Sequence, residues 1–214
     1  PMGILYVLYH AIHHLHSHAE PHGNFDSTQT KRDIIQNNIF GVDIEQGAVD
    51  IARLRFWLSI VVDEETPSPL PNLDYKIMQG NSLLESYNGE DLSTFIYRKK
   101  LKAGDSYSLF DGNIEEKRNE LKNKLRNYYA CTEHKRKLEL RKEIADNVKE
   151  QLKEQGITID FTDIDITANC HFFLWHTWFY EVFEKEGFDI VIGNPPYIQL
   201  QNNGGELAKL YEDC

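Results

Sequence analysis

Five consecutive residues, Gly193-Asn194-Pro195-Pro196-Tyr197, carry the strongest chemical signal in this chain. They come directly after Phe188-Asp189-Ile190-Val191-Ile192, an apolar, β-branched run that predicts a short buried strand. Two successive prolines have fixed φ and no N–H, so they can neither extend a sheet nor enter a helix interior. Asn194, preceding a proline, is pushed into an extended conformation. The pattern predicts a stiff loop at the carboxyl end of a strand, where open α/β sheets bind ligands. An amide side chain, a backbone carbonyl and an aromatic ring on such a loop could hold a planar, amine-bearing substrate. The bland alternative is a proline-stiffened turn that closes a strand.

Other residues could take part. Asp43 ends the strand candidate Ile39 to Ile44, and a carboxylate there can accept hydrogen bonds from both hydroxyls of a ribose. It could equally cap the next helix. Asn81 and Ser82 come after a second strand candidate, Tyr75 to Gln79. An amide can accept from an amino group or donate to a ring nitrogen, or it can simply make a turn with Gly80. His10, His14 and His18 share one helical face, with His13, His16 and His22 nearby. A histidine pair one turn apart can bind zinc, but no acidic or cysteine partner lies at ligand spacing, so a solvated or partner-facing helix is expected and no metal. Between Asn113 and Glu154, Lys117, Arg118, Lys122, Lys124, Arg126, Lys135, Arg136, Lys137, Arg141 and Lys142 could meet phosphates. Exposed charged helices more often pair such cations internally.

These residues need elements to position them. Met2 to His18 has apolar residues at helical spacing, and Glu20 to Asp26 reads as a polar loop. Glu45 to about Val62 predicts a helix ending before the proline-rich stretch Thr66 to Pro71. Strand, helix, strand in this order implies parallel pairing with a right-handed crossover. Gly112 to Glu154 predicts a long helix or helical hairpin. Ile157 to Ile166 predicts a strand or extended connection, and the aromatic-rich Phe172 to Phe183 a helix.

Three segments, Phe40-Gly41-Val42-Asp43-Ile44-Glu45 with its helix, Gly80-Asn81-Ser82-Leu83, and Phe188 through Tyr197, occur in an order that resembles one family. This is the adenine-N6-specific DNA methyltransferases of the large type IIG restriction-modification (Eco57I-like) kind, with relatives in phage defence. The resemblance implies an α/β, partial Rossmann-like S-adenosylmethionine methyltransferase fold, a parallel sheet flanked by helices with a long helical insertion. It implies methyl transfer to the N6 amino group of a flipped-out adenine. Asn194, Pro195, Pro196 and Tyr197 would be catalytic. Asp43 would hold the ribose of S-adenosylmethionine, with Ile44, Asn81, Ser82 and Leu83 completing the cofactor side. An aspartate is common in the family where this chain has Asn81. Residues 1–84 would form the cofactor half, 85–168 the insertion, and 169–214 the continuation with the catalytic loop.

The family's glycine-rich cofactor loop is absent, since no G-x-G occurs. Pro1-Met2-Gly3-Ile4 resembles the residues immediately past that loop, so the chain is expected to be a fragment, inactive alone and a weak cofactor binder at best. Saturable micromolar binding by calorimetry would contradict this. With 214 residues, 41% hydrophobic and 27% charged, the composition is that of an ordinary globular domain. No apolar run is long enough for a membrane span. Three scattered cysteines offer no disulfide framework or metal knuckle, which fits a reducing bacterial cytoplasm. A net charge of −11 argues that any grip on double-stranded DNA is local or lies elsewhere in a parent protein. Self-association of the fragment stays open. The same loop also occurs in enzymes that methylate RNA or a glutamine amide in release factors, and a non-catalytic interaction module is the third alternative.

Overall fold

The computed structural model describes residues 2–19, 25–64, 68–92, 111–154 and 156–194. They fall into two compact units, Pro1–Gly80 and Asn81–Cys214.

In the first unit, α1 (Met2–Ala19) is followed by α2 (Ser27–Asn37), β1 (Gly41–Asp43), α3 (Gln46–Val61) and β2 (Ile77–Gln79). Helix α2 was not expected from the sequence pattern. Its start is fixed by Asp26, whose Oδ1 accepts the Gln29 N–H at 2.8 Å, satisfying one of the unpaired donors of a first turn. Ile34 and Ile35 bury its inner face. β1 and β2 pair in parallel, Gly41 opposite Ile77, Val42 opposite Met78 and Asp43 opposite Gln79. A side chain at Gly41 would come within 3.3 Å of the Ile77 Cδ1, so this close strand pair favours glycine.

The core joins Leu5, Ile34, Ile35, Ile39, Val49, Phe56, Ile60, Leu73 and Ile77. Burial of a side chain such as Phe56 or Ile60 contributes about 1.5–3 kcal/mol. The inward face of α3 is Val49, Phe56 and Ile60, while Ile51, Leu54, Leu58 and Val61 are exposed. Arg53 ties α3 to the start of β2, its guanidinium donating to the Ile77 and Asp74 carbonyls.

The second unit opens with a hairpin of β3 (Ser86–Tyr87) and β4 (Glu90–Asp91), joined by Asn88 and Gly89 with φ of 52° and 81°. Positive φ at both central residues is the two-residue turn that matches strand twist. Next, α4 (Asp111–Ala130) and α5 (His134–Glu154) form an antiparallel hairpin around residues 131–133. Leu121, Leu125 and Tyr128 on one helix and Leu140, Ile144, Val148 and Leu152 on the other are buried. Gly156, at φ 88°, ends α5: its N–H donates to Lys153 and that of Ile157 to Leu152. Ile157 to Ile166 forms no strand. The aromatic segment yields two single turns, α6 (Trp175–Trp178) and α7 (Tyr180–Phe183).

The expected strand at Phe188 to Ile192 is not formed. Ile190, Val191 and Ile192 are 73%, 78% and 70% exposed. An apolar segment becomes a strand only where a neighbour supplies a hydrogen-bond ladder, and none among the described residues does. Among the described residues the parallel sheet has two strands, β1 and β2.

Candidate functional site

Asp43 stands at the carboxyl end of β1. Its carbonyl accepts the Gly80 N–H at 3.0 Å, so the backbone at this edge is held just past the ladder. Its exposed side chain accepts the Glu45 N–H through Oδ1 at 2.9 Å, while Oδ2 meets no partner among the described residues. The cap of α3 is Glu45, which makes no side-chain capping bond, so Asp43 does not fill the cap position considered for it. One oxygen orders the strand-to-helix turn and the other is available to a hydroxyl donor. Ile44, 46% exposed, lies beside it, and its carbonyl accepts from Gln79 Nε2 at 3.0 Å.

Asn81 is buried, and its amide oxygen accepts the Leu83 N–H at 3.2 Å, while its carbonyl accepts from Leu84. This is the turn-forming role, so the amide oxygen organises the loop's own backbone. The side chains of Ser82 and Leu83 are exposed.

The loop is gripped from a distant stretch of chain. The Asn81 N–H donates to the Phe172 carbonyl at 3.3 Å and the Phe173 N–H to Leu84 at 2.8 Å. Trp175 Nε1 donates to the Ser82 carbonyl at 3.1 Å. Glu85 accepts the His176 N–H at 3.1 Å through Oε1, and its Oε2 lies 2.8 Å from His176 Nδ1. The aromatic composition marked this stretch only as helical; its loop-holding residues Trp175 and His176, and Glu85, were not anticipated. On the next turn, burial of Tyr180, together with its hydrogen bond to Glu181, pushes its hydroxyl well above the ordinary tyrosine range.

Asn194 is described and exposed. Pro195, Pro196 and Tyr197 lie outside the described residues. Asp43 and Ile44 belong to the first unit; Asn81, Ser82, Leu83 and Asn194 belong to the second. On α1, the His14 and His18 rings stack at 4.5 Å, and no group of three or more ligating side chains forms a metal cluster among the described residues. Many cations of α4 and α5 are engaged internally. Lys117 pairs with Glu150 and Glu154, Arg118 and Lys122 with Glu184, and Arg136 with Glu139 and Glu143. No helix among the described residues is long and apolar enough to cross a membrane.

A family profile of the Eco57I restriction-modification methylases matches residues 37–213, most of the chain. The chain belongs to that family. The match embraces β1 with Asp43, the Asn81–Glu85 loop and the Asn194-Pro195-Pro196-Tyr197 sequence. A protein of Methanocaldococcus jannaschii, whose name places it among type II restriction enzymes and methyltransferases, is 28% identical over 233 aligned residues. The alignment covers 82% of this chain and 19% of that relative, so the chain spans about a fifth of the relative's length. No solved structure matches.

Proposed function

We propose that this Eco57I-family chain contributes the cofactor edge and the catalytic loop of an enzyme that methylates the N6 amino group of adenine in double-stranded DNA. The observation that carries the reading is Asn194-Pro195-Pro196-Tyr197 within the matched span. The amino nitrogen of adenine is a poor nucleophile because its lone pair is delocalised into the ring. Two acceptors, the Asn194 side-chain oxygen and the Pro195 carbonyl, draw its hydrogens and favour a more tetrahedral nitrogen. They also stabilise the positive charge that develops there. Tyr197 stacks on the base, which must leave the duplex to be reached.

S-adenosylmethionine, when bound, supplies an electrophilic methyl group. The donor set fits its nucleoside part. Asp43 Oδ2 is open to ribose hydroxyls, and exposed Ile44 gives an adjoining apolar surface. Asn81 shapes the loop that carries Ser82 and Leu83, which would serve the adenine part of the cofactor. The acidic charge and the internally paired α4–α5 cations argue that most phosphate contacts lie elsewhere in the full-length protein.

The test follows a labelled methyl group from S-adenosylmethionine to unmethylated DNA, RNA or release-factor protein, using the full-length protein. Label on DNA supports the reading. Label on RNA or protein alone moves the substrate, and no transfer leaves an interaction module.

A further inference from the structure

We infer that Trp175, with the Glu85–His176 pair, aligns the cofactor-side loop with the segment that leads to Asn194, so that Trp175 and His176 are positioning residues for methyl transfer. The inference rests on the proposed methyltransferase reading and assigns roles to residues that reading leaves idle.

Residues 81–85 contain no regular structure, and their internal bonds include those of Asn81 to Leu83 and Leu84. Five hydrogen bonds from residues 172–176 fix the rest, reaching across about ninety positions of sequence: 91 for the Glu85–His176 contacts and 93 for Ser82–Trp175. The Glu85 and His176 side chains are only 13% and 23% exposed, so solvent competes weakly for their contacts. The two Glu85 oxygens take the backbone N–H and the ring nitrogen of the same histidine, which fixes direction as well as distance.

The same stretch also packs against the start of the segment that leads to Asn194. Phe188, the first residue of that run, lies edge-on to Trp175, Phe179 and Phe183, with ring centroids 6.1, 6.0 and 5.8 Å away. Phe183 in turn packs on the His176 ring at 4.3 Å. Trp175 therefore reaches both segments directly: its Nε1–H holds Ser82, and its ring meets Phe188. His176 does the same through Phe183. In-line transfer of a methyl group depends on placing donor and acceptor to within a fraction of an ångström, and a misplacement of about 1 Å can reduce rate about 100-fold. A bracket spanning both segments is the device such a reaction needs, since neither residues 81–85 nor residues 188–194 form a helix or strand of their own.

The experiment uses the full-length protein and compares wild type with Trp175→Phe, His176→Ala and His176→Asn. Phenylalanine keeps a ring against Phe188 and removes the Nε1–H donor. Asparagine retains an N–H near the position of Nδ1. The expected result for Trp175→Phe is about a 3- to 10-fold rise in KM for S-adenosylmethionine, matching the loss of one hydrogen bond. Its KM for substrate should be unchanged. His176→Ala should lower kcat about 10-fold or more, and His176→Asn should restore most of it. Kinetic constants are taken per folded protein, measured by circular dichroism. A merely structural role would lower the melting temperature of both histidine variants and leave KM and kcat of the folded fraction at wild-type values, and that result overturns the inference. An active wild type with unaltered variants overturns it alone; a wild type that methylates nothing removes the underlying reading and the inference together.

Discussion

Replacing Arg53 by methionine should detach α3 from β2. The guanidinium donates to the Ile77 carbonyl from Nε at 3.0 Å and Nη2 at 2.6 Å, and to the Asp74 carbonyl from Nη2 at 3.0 Å. Nη1 also lies 3.4 Å from the Asp74 carboxylate. The arginine side chain is 17% exposed and its carboxylate partner 34%. A hydrogen bond from a charged donor contributes about 1.5–3 kcal/mol, so two carbonyls served give a gross effect of about 3–6 kcal/mol. The partly exposed ion pair adds at most about 1 kcal/mol. Methionine keeps the aliphatic stem against the helix, and water can reach the freed carbonyls in part, which brings the expected loss to about 3 kcal/mol. For a chain of this size that corresponds to a fall of about 6–12 °C in melting temperature. Lysine has one compact ammonium in place of the planar fork and should recover about half. Urea unfolding followed by far-ultraviolet circular dichroism measures both. A methionine variant within about 0.5 kcal/mol of wild type would refute the idea that carbonyl capping by Arg53 holds helix to strand.

Local geometry sets three further outcomes. Gly89→Ala should destabilise the second unit by about 1 kcal/mol, because φ of 81° strains a side chain even though open space surrounds the position; equal stability in urea would contradict this. Thr177→Val should be neutral or stabilising by about 1 kcal/mol, since the Thr177 hydroxyl is fully buried without a hydrogen-bond partner among the described residues, and a loss above about 1 kcal/mol on thermal unfolding would show an unrecognised bond. Hydrogen bonds from Ser68 and then Arg32 hold the Glu64 carboxyl below its usual value of 4.5. Its contribution is present above that value and is lost as pH falls through the lower folded-state value, so Glu64→Gln should flatten acid destabilisation in that window alone.

The β1–α3–β2 unit was legible because its apolar runs are bounded by Gly41, Glu45 and the proline-rich stretch, and local pattern suffices for each. The helical character of α4 and α5 was legible from their spaced leucines, isoleucine and valine, while the break at residues 131–133 that makes two helices was not. Helix α2 escaped because only Ile34 and Ile35 among eleven residues are buried, although Asp26 three residues before Gln29 is a capping signal. The β3–β4 hairpin escaped because two-residue strands show no alternation; the Asn88-Gly89 pair was the available sign. At the site, the Asp43 and Asn81 positions could be read from strand ends. Capping by Asp43 and a turn made by Asn81 were both open from the sequence, which did not show that Glu45 takes the cap position or that the Asn81 amide oxygen accepts the Leu83 N–H. The bracket formed by Trp175 and His176 depends on contacts some ninety residues apart, which no local pattern encodes. The run Phe188 to Ile192 shows the opposite error: its composition suits a strand, but pairing requires a neighbour.

The most direct test of the central claim is nucleoside analysis of unmethylated DNA after incubation with S-adenosylmethionine and either the full-length wild-type protein or its Asn194→Ala variant. The expected result is N6-methyladenine with wild type and a fall of about 100-fold or more with the variant, given what a preorganised polar group at a developing charge contributes. Methyl groups found on cytosine, or equal N6-methyladenine from both proteins, would contradict it.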